Sequence, residues 1–192
     1  TEWGAQGPPE RWRLEIGTGY SAPVALGDRL IVFHRRDDEE IVECFAAETG
    51  ESLWTFAYPT AYECRYEYSD GPYSTPVMDD EFVYAWGAEG ELHCLRLDDG
   101  SPVWQRSLSR DYEVAEGLFA VGSSPLLEGN RLILNVGGSR PGTGIGALDK
   151  HTGATLWTAT DDGASYATPS AATIHGRRYV FVLTAECLVS LD

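Results

Sequence analysis

Small or apolar residues alternate with polar ones from Ile145 to Asp149, the period-two pattern of a strand. Lys150 to Gly153 is turn chemistry, with polar residues, a threonine that can bond locally and a glycine that tolerates positive φ. Ala154 to Thr158 resumes the extended pattern and carries Trp157. The stretch predicts a β-hairpin with a tryptophan four residues past its turn glycine. The same hairpin stands twice earlier, from Cys44 through Gly50 to Trp54 and from Cys94 through Gly100 to Trp104, so the tryptophan periods are 50 and 53. A second marker repeats in step. Pro23, Pro76, Pro125 and Pro169 each follow a short Tyr/Gly-Ser/Ala stretch and lie 53, 49 and 44 residues apart. Two markers in register at about 40–50 residues, both built on short strands, predict propeller blades.

The repeats divide the chain into a lead-in arm (1–10), an outer strand belonging to another blade (11–16, with Trp12), full blades at 20–58, 73–108 and 122–160, and an incomplete blade at 166–192. Ser190-Leu191-Asp192 aligns with Ala147-Leu148-Asp149, in the middle of the motif. Two arrangements compete: an open arc that is a piece of a larger propeller, or a small ring in which the Trp12 strand closes the fourth blade. Closing a ring of only four such blades needs unusually strong bending, so the expected arrangement keeps 11–16 apart from Leu188 to Asp192.

The hairpins resemble the blade signature of the quinoprotein alcohol dehydrogenase-like β-propellers, Ala-x-Asp-x-x-x-Gly-x-x-x-Trp with Thr commonly before the Gly. The third copy carries it in full as Ala147, Asp149, Thr152, Gly153 and Trp157; the first keeps Thr49, Gly50 and Trp54, and the second Gly100 and Trp104. The chain is similar to the pyrroloquinoline-quinone-binding-like repeat proteins of planctomycetes and related bacteria, down to the Asn135-Val136-Gly137-Gly138 run. The resemblance implies an all-β propeller of four-stranded antiparallel blades, about four of them present, within a ring of seven or eight. It also implies that Trp12, Trp54, Trp104 and Trp157 dock blade on blade, and that the protein works in the periplasm or outside the cell, although no signal peptide stands in this sequence.

Composition narrows the partners. The 192 residues are 43% hydrophobic, enough for a globular core, and 14 basic against 30 acidic residues leave a formal charge of −16. That acidity argues against nucleic acid, which needs basic patches, and no apolar run reaches transmembrane length. Cys44, Cys64, Cys94 and Cys187 show no ligand spacing. Cys44 and Cys94 occupy equivalent small-residue positions, which suits buried free thiols.

Candidate chemistry concentrates on one face. Connections between blades and those between second and third strands share a face, here the top. The loop from Ala57 to Ser74 is the longest of these and carries Arg65, Glu67, Tyr68 and Asp70 among several tyrosines; long loops in compact domains are often functional. Tyr20, Tyr73 and Tyr166 each precede a proline by three residues, which predicts a ring around one channel mouth. The run Gly142 to Ala147 has the form G-x-G-x-x-A but precedes a strand, so no helix N-terminus would receive a phosphate. Asp37-Asp38-Glu39-Glu40 lacks the spacing of a calcium loop and predicts a solvated hairpin tip. The four histidines show no triad logic.

These observations support a non-catalytic extracytoplasmic scaffold or binding module, with a protein or carbohydrate partner on the top face, further blades of the same or another chain as neighbours, and no cofactor. The alternatives are a quinone-dependent alcohol or sugar dehydrogenase, which by family resemblance would use pyrroloquinoline quinone with Ca²⁺ and adjacent cysteines absent here, and an extracellular carbohydrate-binding propeller.

Overall fold

The computed structural model describes residues 3–66, 68–115 and 121–192. Among them the hydrophobic pattern becomes fifteen strands in four antiparallel sheets, with one helical turn. The first sheet is β1 (Val24–Leu26), β2 (Arg29–Arg36), β3 (Glu39–Ala46) and β4 (Ser52–Pro59). The second is β5 (Val77–Met78), β6 (Phe82–Trp86), β7 (Glu91–Arg96) and β8 (Pro102–Ser107), followed by the turn α1 (Leu108–Asp111). The third is β9 (Leu126–Glu128), β10 (Arg131–Asn135), β11 (Ile145–Asp149) and β12 (Thr155–Ala159). The fourth has β13 (Ser170–Ile174), β14 (Arg177–Leu183) and β15 (Leu188–Leu191). Every sheet is a meander in sequence order. β1 lies against β5, and β5 against β9, so the inner strands converge while the outer ones splay, the wedge geometry of a β-propeller. No helix among the described residues is long and apolar enough to cross a membrane.

Strand periodicity sorts side chains onto the two faces of each sheet, and in the second and third sheets both faces are buried by neighbouring sheets. In β6, Val83 and Ala85 join Ile31, Phe33, Val42 and Cys44 of the first sheet, whereas Phe82, Tyr84 and Trp86 join Leu132, Leu134 and Leu148 of the third. In β10, Ile133 turns the other way, toward Val180 and Val182 of the fourth. The three interfaces therefore make three separate apolar layers. That explains why β6 reads as an unbroken apolar run and not as an alternation.

Trp54 and Trp104 lie across from one sheet to the next, and Trp12 seats the segment before β1 on the first sheet in the same way. Trp12, Trp54 and Trp104 lie over Gly50, Gly100 and Gly153, whose φ values are 74°, 71° and 70°. A Cβ on those glycines would stand 2.9, 2.5 and 2.7 Å from the ring. Each indole N–H donates to the carbonyl three residues before its glycine: Trp12 to Ala47 (3.2 Å), Trp54 to Leu97 (2.8 Å) and Trp104 to Lys150 (3.0 Å). Within its own sheet each tryptophan faces a small residue, Cys44 opposite Trp54, Cys94 opposite Trp104 and Ala147 opposite Trp157, with a register shift just beyond. Asp149 shapes its hairpin directly, its Oδ1 accepting from the N–H groups of His151 and Thr152 and from the Thr152 hydroxyl. Trp157 is half-buried against the layer shared with the fourth sheet.

The segment 11–16 forms no strand; Leu14 and Ile16 are exposed and only Trp12 is seated, on the first sheet. Among the described residues β15 pairs with β14 alone. Cys44, Cys64 and Cys94 are buried free thiols and Cys187 is an exposed one.

Gly27 and Gly100 both need positive φ, but only Gly100 lies beneath a ring. Gly100→Ala should therefore lower the urea midpoint well beyond Gly27→Ala. Trp54→Ala should cost about 3–5 kcal/mol, the range for truncating a buried large aromatic. Equal midpoints for the two alanine variants would show that ring-over-glycine contact contributes nothing.

Candidate functional site

The inner rim is tied together by a column of hydroxyls. At the first three inner-strand prolines the preceding residue sends its N–H to the hydroxyl of its counterpart in the next sheet: Ala22 to Thr75 (3.0 Å), Thr75 to Ser124 (2.8 Å) and Ser124 to Thr168 (3.2 Å). The ladder is visible in the sequence only as Ala, Thr, Ser and Thr before the four prolines, a signal the tyrosine spacing overshadows.

The three rim tyrosines do not share one environment. Tyr20 and Tyr73 pack together, ring centroids 5.1 Å apart. The Tyr20 hydroxyl reaches the Tyr68 carbonyl at 3.5 Å and that of Tyr73 donates to the Ser69 carbonyl at 2.9 Å. The third repeat has Gly122 at this position, and the Tyr166 ring occupies the space its side chain would need. Tyr166 lines a cleft on the top face together with Arg65, away from the other two.

The tyrosine-rich loop is held by backbone and side-chain bonds. Asp70 Oδ1 accepts the Cys64 N–H at 2.7 Å and its carbonyl accepts from Arg35 at 3.0 Å. Glu89 Oε2 accepts from the Thr60 hydroxyl (2.8 Å) and the Ala61 N–H (2.9 Å). The Tyr73 hydroxyl, 3.6 Å from the Cys64 sulfur, and the N–H groups of Tyr66, Tyr68 and Ser69 pull that thiol down to about 7. Glu67 lies outside the described residues.

The cleft has a volume of about 600 Å³, within the range of small-ligand sites, and is walled by the ends of the second and third sheets and by the connections between successive sheets, Ala61 to Arg65 and Gly163 to Tyr166 among them. Trp86 and Asn135, only 2% and 1% exposed, stand in that wall, and among the described residues Trp86 Nε1 and Asn135 Oδ1 have no hydrogen-bond partner. The Asn135 amide nitrogen is committed elsewhere, donating to the Leu183 carbonyl at 2.9 Å. The two residues are equivalent in the repeat. Each lies two residues beyond the β6 or β10 position paired with the first inner-strand residue, where the first and fourth sheets have Phe33 and Leu183. Ten residues separate Pro76 from Trp86 and Pro125 from Asn135, a spacing that could have singled them out.

Beside the cleft, between the first two sheets, sits a buried titratable group of a kind the solvated-tip reading did not allow. Asp37 to Glu39 are exposed, but Glu40 is 1% exposed. The fold turns it inward because Gly87 leaves room: a Cβ there would stand 2.1 Å from Glu40 Oε2. The carboxyl accepts from the Tyr58 hydroxyl (2.5 Å) and the Ala88 N–H (2.9 Å). Burial pushes it above the usual carboxylate range, and burial with the adjacent Glu40 pushes Tyr58 up as well. His93 packs 4.2 Å from the Tyr58 ring and 5.1 Å from Phe56, with no partner for either ring nitrogen among the described residues, and burial holds it down at about 4.

The run Gly142 to Ala147 leads into β11, and no helix opens there. Among the described residues no group of three or more His, Cys, Asp or Glu is placed to hold a metal ion. The charged cleft residues are Glu63 and Glu89 against Arg65, a poor match for a tricarboxylate quinone, and no cysteine pair is adjacent in the sequence.

Radially packed meanders fastened by Trp-over-Gly contacts define the class: a β-propeller of the pyrroloquinoline-quinone-like repeat type. The family described as outer membrane protein assembly factor BamB matches residues 37–192, and the chain belongs to it. Comparison with curated protein sequences gives no match. Among solved structures, BamB from Moraxella catarrhalis is 20% identical over 92% of this chain and 49% of its own, with a TM-score of 0.58. The chain thus spans about half the length of that structure. A europium-containing methanol dehydrogenase is 15% identical over 77% and 26% (TM-score 0.54), and the computationally designed Ika4 protein 13% identical over 96% and 98% (TM-score 0.60). At these identities the structural likeness is one of fold.

Because His93 ordinarily titrates near 6.5 and is held at about 4 here, its contribution to stability is full above pH 6.5. It is lost as pH falls toward 4, while the unfolded chain takes the proton that the fold refuses. Between pH 7 and 5 that loss is about 2 kcal/mol. Chemical denaturation at both pH values should show His93→Leu losing less stability than the parent by that amount. Parallel losses would place the titration elsewhere.

Proposed function

We propose that this chain is part of a non-catalytic propeller working in the periplasm or outside the cell, and that it binds a protein partner on its top face. The observation that carries this reading is the chemistry of the cleft. Its unsatisfied groups are an indole N–H and a carboxamide oxygen, which bind ligands and do not shuttle protons at ordinary pH. The neighbouring titratable groups already have structural tasks: Glu89 anchors the loop, and Glu40 joins the first two sheets. The family's description as an assembly factor for outer membrane proteins supports a protein partner and an extracytoplasmic setting.

The rival reading is a quinone-dependent alcohol or sugar dehydrogenase, favoured by fold likeness to the methanol dehydrogenase. The two carboxylates and one guanidinium of the cleft speak against it. Incubating the full protein with pyrroloquinoline quinone, Ca²⁺ and an electron-accepting dye should give no dye reduction with ethanol or glucose. Robust alcohol- or glucose-dependent bleaching would overturn the non-catalytic reading.

A further inference from the structure

We propose that the cleft at the ends of β6 and β10 binds a short uncharged stretch of polypeptide main chain, one carbonyl accepting from Trp86 Nε1 and one N–H donating to Asn135 Oδ1. This rests on the reading of the chain as a protein-binding propeller and adds the place and the chemistry. A buried polar atom without a partner costs about 1–3 kcal/mol, and native proteins keep few of them. Two such atoms occur here at one repeat position, on neighbouring sheets, in the wall of one cleft. The same position is apolar in the other two sheets, Phe33 and Leu183, so the fold itself does not require polar residues there.

The pair is complementary to an amide. Trp86 offers only a donor and Asn135 has only its acceptor left, since its nitrogen is bound to Leu183. A peptide chain supplies an acceptor and a donor at each residue. Val114 and Val121 in the same wall suit aliphatic side chains, while Glu63 and Glu89 disfavour an anionic ligand. A sugar would want an open aromatic face. Trp86 is 2% exposed and offers none; Tyr166, 54% exposed at the cleft edge with one ring edge against Gly122, is the aromatic a sugar would have to use, and titration with maltotetraose tests it.

The probe is acetyl-tetra-alanine amide, titrated into ¹⁵N-labelled protein while the indole N–H of Trp86 and the carboxamide of Asn135 are followed by NMR. Both signals should move saturably below roughly 10 mM peptide. Trp86→Phe, which keeps the apolar ring and removes the donor, should weaken binding about tenfold or more. Asn135→Leu, which removes the acceptor, should not bind. His175→Ala, in an exposed turn, should bind normally. Absence of a saturable shift at these two groups, or peptide binding that survives Trp86→Phe, overturns the proposal. So does movement of the same signals by maltotetraose and not by peptide, which would assign the cleft to sugar. Dye reduction in the quinone assay refutes the non-catalytic reading whatever the peptide does; a silent quinone assay without peptide shifts refutes the cleft assignment alone.

Discussion

The arrangement depends on one contact repeated along the chain, an indole laid over the turn glycine of the next sheet. Its requirements are stringent. The glycine must accept positive φ and carry no Cβ, the ring must face a small residue in its own sheet, and the indole N–H must reach the carbonyl three residues upstream. Trp54 meets all three, against Cys44, Gly100 and Leu97. Because the contact fixes both distance and angle between neighbouring hairpins, the strands between them can be short and still pack both faces in apolar layers. The Lys150–Asp79 ion pair, 2.7 Å and largely buried, reinforces the second interface. Burial alone would push the Asp79 carboxyl up, but the Lys150 ammonium and the N–H groups of Glu81 and Phe82 outweigh it and hold the group below its ordinary value.

The same regularity makes departures from it informative. At the inner rim a hydroxyl before the second, third and fourth prolines receives the N–H of the preceding sheet, and Thr75, Ser124 and Thr168 supply it. Where the repeat asks for an apolar residue at the end of the second strand, the middle two sheets have Trp86 and Asn135. Glu40 is a third departure, a carboxylate admitted between sheets because Gly87 has no side chain. All three deviations gather at the top, around the cleft and the first interface. The lower hairpins keep to the repeat. A site assembled from residues that break the pattern, on a frame that keeps it, is how one architecture carries different functions.

How much of this was legible differs between frame and site. Spacing of Gly and Trp at 50 and 53 residues and of proline at 53, 49 and 44 sufficed for an all-β propeller, because each marker is a local requirement of a turn or a strand. Reading Tyr20, Tyr73 and Tyr166 as one ring went less far. Their spacing places them at equivalent backbone positions, but side chains at equivalent positions meet only if the neighbour's residue leaves room. Tyr20 found Tyr73, whereas Tyr166 found Gly122 and turned to the cleft. Glu40 was read as solvated from its three acidic neighbours, because proximity in sequence says nothing about the cavity Gly87 leaves across the interface.

By itself the sequence determined the repeat, the strand content, the turn glycines and the tryptophans that need them, since these follow from backbone sterics and side-chain periodicity within one hairpin. Only the tertiary structure decided which polar groups go unsatisfied and where they gather. That depends on donors and acceptors brought together from different sheets, Trp86 with Asn135 and Glu40 with Ala88, and no local rule records which distant atom will or will not stand within 3 Å of a buried one.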